Sequence, residues 1–259
     1  MRIFPTVREA LLEIRRDVYK SPEVPSSRVQ NRETPNGKAH EAQYYTYGVK
    51  SAGIPYGAED LVEQVAPILP FWEENKDSMI RWLNRELDLR IAAFAGFDGL
   101  ISMTPGSLSA EAYHPALAQY IEGHEASYYY ADRLAGGMAS MIKALQQEGS
   151  RRVFWPIFRE EDARRAHRAT RIPCTIGYNW QVRPTTFLGD GMIIDSGLEQ
   201  RSCDFDKFMV SDLWFTMRLT VALIENIPTN HPLYDLNLEL DMTYHHAMSL
   251  HAFIDSEIF

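Results

Sequence analysis

The chain has 259 residues, of which 45% are hydrophobic and 24% are charged, a composition typical of a globular protein with a substantial core. This balance excludes disordered, collagen-like and coiled-coil proteins. The formal net charge of −9 repels duplex phosphate and argues against a general nucleic-acid-binding protein.

The sequence predicts neither a membrane span nor a secretory leader. The longest apolar run, Ile91 to Ile101, is interrupted by Asp98 and falls short of the roughly 20 residues that cross a bilayer. The first residues lead into a charged helical pattern instead of an apolar segment. The two cysteines, Cys174 and Cys203, are too few for a disulfide scaffold. We therefore expect a cytoplasmic protein without membrane contact.

The first half of the chain is predicted to be mainly helical. Thr6 and Glu9 form a capping box, and apolar residues recur at helical spacing from there to Val18. Residues 21–42 are rich in proline and polar residues and are predicted to form a long loop. The remaining predictions for this half are a strand over 44–50, helices over 58–66 and 76–90, an irregular stretch over 94–113 and a helix from 134 to about 149.

The second half is predicted to be rich in strands. The pattern indicates four strands and one apolar helix, namely strands over 151–158, 174–183, 191–201 and 236–242 and a helix over 211–227. No repeat or linker divides the chain, so we expect a single domain over residues 1–259. Early helices and late strands favour an α+β fold with one large mixed sheet flanked by helices.

Glu86 occupies an unusual position on a predicted helix. Met79, Trp82 and Leu83 begin an apolar stripe, and Glu86 falls at its next position. A buried carboxyl group there would have a raised pKa and would suit proton transfer. The structural alternative is that Glu86 turns to water or pairs with Arg90, four residues later.

Cys174 is the candidate nucleophile. It follows seven arginines that fall within the 21 residues from 151 to 171, and neighbouring cations favour the reactive thiolate. Cys203 lacks such flanking charge and fits a buried structural role. The alternative for Cys174 is also a small buried hydrophobic residue, with the arginines forming a solvated helix face.

Common cofactor and metal signatures are absent from the sequence. It has no Gly-rich phosphate loop, no His-Glu-x-x-His, no Cys-x-x-Cys and no Gly-x-Ser-x-Gly. His245, His246 and His251 are not spaced i, i+4, as a helical metal pair requires. We therefore expect no metal.

Four short motifs occur in an order that resembles the thymidylate synthase family. They are Ser150-Arg151-Arg152, Pro173-Cys174, Gln200-Arg201-Ser202-Cys203-Asp204 and Tyr244. The resemblance covers about residues 76 to 250, and Asn84-Arg85-Glu86-Leu87 is most similar to the phage deoxycytidylate hydroxymethylase branch. It implies a thymidylate synthase-like domain that acts as a homodimer.

The resemblance also implies roles in catalysis and cofactor binding. Cys174 would add to carbon 6 of the pyrimidine, and Glu86 would order water and relay protons. Tyr130 would be an active-site tyrosine, and Tyr244 would contact the sugar. Asp204 would face 5,10-methylenetetrahydrofolate, the implied cofactor.

The phosphate of the nucleotide would be bound from both subunits. The implied ligands are Arg201 and Ser202 of one subunit, Arg151 and Arg152 of its neighbour, and Arg28 or Arg32 from the predicted loop. Cationic and hydroxyl groups placed around a dianion are what tight phosphate recognition requires.

Asp212 is the position that distinguishes substrates. It lies ten residues after Ser202, where family members that use uracil carry an asparagine. A carboxyl group accepts from the 4-amino group of cytosine and, when protonated, donates to the ring nitrogen, so Asp212 favours a cytidylate. The alternative is that Asp212 caps the apolar helix that follows.

The function implied is transfer of a one-carbon unit to carbon 5 of dCMP or CMP, giving the 5-hydroxymethyl product. Phe208 replaces the family glycine that admits the folate ring, and Met242 replaces the sugar-binding histidine. These departures leave open a cytidylate 5-methyltransferase or a relative that modifies carbon 5 without folate. A noncatalytic nucleotide- or RNA-binding module on the same fold is the alternative of a different class.

Overall fold

The chain folds around one mixed β-sheet. The computed structural model describes residues 1–29, 37–96, 130–145, 153–165, 172–185, 191–236 and 238–254. Within these residues the strands are β1 (Arg2–Phe4), β2 (Glu23–Pro25), β3 (Lys38–Lys50), β4 (Val153–Pro156), β5 (Thr175–Pro184), β6 (Met192–Gln200), β7 (Cys203–Asp204) and β8 (Leu238–Phe253). Their order across the sheet is β1-β3-β8-β6-β5-β4, with β2 paired to β3 and β7 paired to β8.

The helices lie before, between and after these strands. They are α1 (Val7–Tyr19), α2 (Ser26–Val29), α3 (Ala58–Val65), α4 (Pro70–Glu74), α5 (Lys76–Ala95), α6 (Tyr130–Leu134), α7 (Gly137–Ala144), α8 (Glu160–Arg165) and α9 (Met209–Glu225). The expected α+β class with one large mixed sheet is confirmed. None of the described helices is long and apolar enough to cross a membrane.

Most helix predictions are confirmed, with small differences at the ends. The Thr6 hydroxyl accepts from the Glu9 amide at 3.2 Å, as the capping box predicts, and α1 starts at the next residue. Helix α5 runs beyond residue 90 to Ala95, because Gly96 at φ 87° is the first residue that provides a left-handed C-terminus. The helix predicted from 134 to 149 is instead α6 and α7, and residues 146–150 lie outside the described part of the chain.

The prediction of one long loop over residues 21–42 was wrong. Strand β2 pairs with the start of β3 in antiparallel register, and helix α2 follows β2 directly. Residues 30–36 lie outside the described part of the chain. Proline in Glu23–Pro25 suggested a loop, but an edge strand tolerates proline because one of its sides makes no ladder bonds. Lys38 pairs with Pro25, so strand β3 begins six residues before the predicted start at residue 44.

Strand β8 is more than twice as long as predicted, because polar residues beyond the predicted end at residue 242 are buried. His245 is fully buried, and its Nδ1 lies 3.1 Å from the Tyr47 hydroxyl of β3. Burial lowers the pKa of His245 to about 3, so the ring is neutral at physiological pH and can occupy the core. The strand pairs with β3 on one side and with β6 and β7 on the other.

The helices cover one face of the sheet. Helix α9 is central: its first half packs with α1, α3 and the first part of α5, and its second half packs with α7 and strands β4 to β6. Trp180 of β5 donates to the Thr220 hydroxyl of α9 at 2.8 Å, which fixes the helix against the sheet. Strand residues that alternate with these core residues, such as Asn179, point to the other face of the sheet, away from α9.

A buried ion pair fixes α6, the short helix that begins at Tyr130. Arg133 donates to the Asp162 carboxylate at 2.9 Å, and both side chains are 5% exposed or less. We expect Asp162→Ala to destabilise the protein by about 3–5 kcal/mol, since it removes the buried counter-ion of a buried guanidinium. Glu161→Ala is the matched control, because Glu161 also pairs with Arg133 but is 55% exposed, and its loss should cost about 1 kcal/mol or less. Urea denaturation measures both, and equal effects would contradict a special role for the buried pair.

Candidate functional site

Several predicted site residues meet at one end of the sheet. Strand β5 begins just after Cys174, and the antiparallel β6 ends just before Arg201, so the two residues are neighbours. The Arg201 amide donates to the Cys174 carbonyl at 2.7 Å. Ser202 follows and is buried, and β7 then pairs with β8 at the same end. The fold therefore brings together two motifs that are 27 residues apart in sequence, here Cys174 and Arg201.

A chain of hydrogen bonds leads from Tyr130 to Asp212. The Thr175 hydroxyl lies 3.5 Å from the Tyr130 hydroxyl and accepts from the Gln200 amide at 3.2 Å. The same Gln200 nitrogen donates to the Asp212 carboxylate at 2.7 Å. The Gln200 carbonyl oxygen is buried without a protein partner. This hydrogen-bond chain passes beside Cys174, because Thr175 follows Cys174 in the sequence.

Asp212 does not cap helix α9. The N-cap is Phe208, and Asp212 lies in the first turn with its side chain directed to Gln200. The capping alternative is therefore wrong. Burial raises the pKa of Asp212 to about 6, although Arg90 and the bond from Gln200 act in the opposite direction. The carboxyl group can thus gain or lose a proton close to neutral pH.

Glu86 is paired rather than isolated. Its carboxylate accepts from Arg90 Nε at 2.8 Å, and its side chain is 15% exposed, whereas that of Arg90 is only 3% exposed. The structural alternative, an i, i+4 pair, therefore describes the position of Glu86. The pair itself lies in the candidate site, because Arg90 also bonds to the Tyr178 hydroxyl of β5 at 3.2 Å.

The Arg90 guanidinium is enclosed by aromatic groups. Its central carbon lies 4.1 Å from the centre of the Phe215 ring and 4.6 Å from that of Tyr130. Burial alone would lower the pKa of Arg90, but the charge of Glu86 and the influence of Tyr178 and Asp212 raise it above the usual value. Burial raises the pKa of Tyr178 to about 12, so its hydroxyl remains protonated.

The two cysteines have different environments. Cys174 is partly exposed, whereas Cys203 is buried. Burial raises the pKa of Cys203 well above its ordinary value, and Asp212, Asp204 and Cys174 add to this effect. Cys203 is thus a neutral buried thiol, as its sequence context predicts.

Two further predicted ligands carry polar atoms without protein partners. Arg201 Nε is buried and unpaired, as is Oδ2 of Asp204. The other Asp204 oxygen accepts from the Asp206 amide at 3.1 Å. Phe208, which stands where relatives have a glycine, packs edge-on against Trp82 with ring centres 6.3 Å apart.

Arg28 lies at the same end of the sheet. Its Nε is 3.1 Å from the buried carboxylate of Glu41, and its own side chain is 54% exposed. In the sheet, His251 of β8 lies opposite Glu41 of β3 on one side and opposite Asp204 of β7 on the other. The backbones of Glu41 and Asp204 are therefore two strand spacings apart, about 10 Å. The other predicted phosphate ligands, Arg32, Arg151 and Arg152, lie outside the described residues.

Tyr244 is not brought to this cluster. It lies in the middle of β8 and faces the side opposite to α9, with its hydroxyl bonded to Asn179. A side chain on Gly197 would overlap the Tyr244 ring, so glycine is required there. Gln200 pairs with Ala247, three residues further along β8, so Tyr244 lies about 10 Å along the strand from the Thr175–Gln200 pair and on the opposite face of the sheet. Met242 is on the same outer face, beside Gly48.

The sequence predicted no site role for four residues that lie with Cys174 and Asp212: Arg90, Thr175, Tyr178 and Gln200. One signal could have indicated Arg90, since it continues the buried stripe of Met79, Leu83 and Leu87 on α5. The other three are ordinary polar positions on strands, and only the strand register brings them to the helices. No group of three or more potential metal ligands occurs in the part of the chain that the structure describes.

Comparison with models of protein families and with curated protein sequences finds no match to this chain. The function must therefore be argued from the site itself together with the resemblance of its motifs.

Proposed function

We propose that this chain transfers a one-carbon unit to carbon 5 of a cytidine monophosphate nucleotide and releases the 5-hydroxymethyl product. The observation that carries the proposal is the position of Asp212. Its carboxyl group is bonded to Gln200 in a buried site next to the Cys174–Thr175 turn, instead of capping a helix. In this proposal Asp212 reads the base and the neighbouring Cys174 acts as the nucleophile.

Cys174 supplies the covalent step. Its thiolate adds to carbon 6 of the cytosine ring, which places the electron pair of the former double bond on carbon 5. Carbon 5 would then bond to the one-carbon unit and lose its proton. The bond between that unit and the nitrogen of its donor would break, with the electron pair leaving on the donor, and water would add to the resulting exocyclic methylene as the thiolate leaves carbon 6. Glu86, which is partly exposed, is the carboxylate that orders this water.

Asp212 supplies base recognition. Its pKa of about 6 leaves the protonated carboxyl group accessible near neutral pH. In that form it donates to the ring nitrogen of cytosine and accepts from the 4-amino group. The unpaired Gln200 oxygen next to it is a second acceptor for the same amino group. Arg201, with its buried unpaired Nε, is the ligand for the phosphate.

The proposed donor is 5,10-methylenetetrahydrofolate, which would supply the one-carbon unit at the oxidation level of formaldehyde. The buried unpaired oxygen of Asp204 fits a group with N–H donors, such as a pterin ring. Phe208 fills space against Trp82 where relatives have glycine, so the folate ring would have to lie differently here.

We also propose that the active form is a homodimer. The sheet face opposite α9 carries half-exposed side chains, including Phe154 and Met248, and offers a surface for a second copy.

Mixing Arg151→Ala subunits with Cys174→Ala subunits should then restore activity, because one of the two sites in each heterodimer has neither defect. Turnover is measured after subunit exchange has been verified by mass spectrometry. Exchanged mixtures that stay inactive would contradict a shared site.

The direct test of function is release of tritium from carbon 5 of labelled dCMP into water. This exchange requires reversible addition of Cys174 together with protonation and deprotonation of carbon 5, and it needs no one-carbon donor. Products from dCMP, CMP, dUMP and UMP, with and without methylenetetrahydrofolate, are then identified by mass spectrometry. A hydroxymethyl product supports the proposal, a methyl product indicates a methyltransferase, and absence of both exchange and product indicates a binding protein.

A further inference from the structure

The buried cation Arg90 pairs with one of the two carboxyl groups of the proposed site and acts electrostatically on the other. Arg90 contacts Glu86 directly at 2.8 Å and influences Asp212 electrostatically. The groups that act electrostatically with Asp212, or bond to it, come from five elements: Arg90 and Glu86 from α5, Tyr178 from β5, Gln200 from β6, Cys203 from β7 and Tyr47 from β3. Of these groups only Arg90 can carry a positive charge, and the raised pKa values of both tyrosines and of Cys203 keep these three groups neutral.

The contacts of Arg90 hold its guanidinium in one orientation. Nε is bonded to Glu86, Nη1 to Tyr178, and the rings of Phe215 and Tyr130 lie against the planar group. A lysine could supply the charge but not this planar arrangement. An arginine also stays charged when buried, so the positive charge is a constant feature of the site.

We propose that Arg90 is a positioning residue that makes the two carboxyl groups unequal: it pairs directly with Glu86 and leaves Asp212, bonded to the neutral Gln200 amide, as the group that exchanges a proton with the cytosine ring. The inference rests on the proposed function for its substrate. Its physical basis is that one cation pairs directly with one of two carboxyl groups. Two carboxyl groups with different environments can then take different roles in proton transfer.

The test replaces the charge with a side chain of similar length, Arg90→Met. Arg81→Met is the matched control, because Arg81 is exposed on the same helix. Protein labelled with carbon-13 in its aspartate carboxyl groups is titrated by NMR, and the Asp212 signal is assigned by its loss in Asp212→Asn. Removing the cation removes a stabilising influence on the Asp212 carboxylate, so its titration midpoint should rise by about one pH unit or more. The control should leave the midpoint unchanged.

The double variant Arg90→Met/Glu86→Gln covers the case in which Arg90→Met fails to fold, because it removes the buried cation together with its paired anion. It should give a smaller upward shift, because the charge of Glu86 itself raises the pKa of Asp212, in a protein whose folding is verified by circular dichroism. A midpoint that is unchanged or lower in the folded variant would overturn the proposal.

Activity provides a second and separable readout. With dCMP, Arg90→Met should lower tritium release roughly tenfold or more, move its pH profile in the same direction as the NMR midpoint, and be partly rescued by Arg90→Lys. If the unmodified protein releases no tritium, the proposed function fails while the NMR comparison still decides the role of Arg90. If release is normal but the profile does not move, the proposed function stands and the inference fails.

Discussion

Cys174→Ser is expected to reduce tritium release from carbon 5 of dCMP by roughly 10³-fold or more, while nucleotide binding stays largely intact. A serine hydroxyl is far harder to ionise than a thiol, so covalent addition to carbon 6 is lost although the side chain keeps nearly the same size. The exchange rate and, separately, dCMP affinity by calorimetry measure the two effects.

Cys203→Ser is the matched control for this experiment. Cys203 lies close to Cys174 but is buried with a raised pKa, so it should not act as a nucleophile. The control should retain exchange if the protein folds. Exchange that survives in Cys174→Ser would remove covalent catalysis from the proposed function.

Asp212→Asn is expected to shift the preference between dCMP and dUMP toward uracil by roughly tenfold or more in kcat/KM. The substitution keeps the shape of the side chain, and the amide oxygen can still accept from Gln200, but cytosine loses a partner and the uracil carbonyl gains a donor. One mispaired buried polar group costs about 1–3 kcal/mol, which sets the size of the shift.

Asp206→Asn provides the same substitution at a buried carboxyl group outside the hydrogen-bond chain. Burial raises the pKa of Asp206 to about 7, and the residue bonds to the Tyr19 hydroxyl. This variant should change activity with both nucleotides to a similar extent and leave their ratio unaltered. A ratio that also stays constant in Asp212→Asn would remove the main reason for naming cytidylate as the substrate.

The fold could be predicted wherever apolar residues recur with a clear period. Helices α1 and α9 follow directly from such periods and from the Thr6 cap. The second half of β8 could not be predicted, because His245 and His251 are buried only through contacts with residues far away in the sequence. Residues 23–29 were missed for a related reason, since β2 forms only by pairing with β3.

The candidate site was predicted in part, and its electrostatics were not. Cys174 was predicted from its flanking arginines and from the resemblance, and Arg201 and Asp212 from the resemblance alone; the structure brings the three residues to one end of the sheet. The position of Tyr244 on the outer face was not foreseen, because a strand period alone does not say which face is covered by helices. The buried Arg90 was also unexpected, since an arginine in a helix is usually exposed and only its tertiary partners make burial tolerable.

The central position of β8 has a consequence for how the protein folds. Tyr47 and His245 are bonded across 198 residues of chain, and the whole β3–β8 ladder closes loops of similar size. Closing such loops costs entropy before the ladder bonds form, which predicts slow folding. Until β8 arrives, β3 and β6 present unpaired backbone edges of the kind that aggregate. A truncation before Leu238 would therefore separate the N-terminal strands from β5 and β6 and yield a protein that depends on chaperones for its solubility.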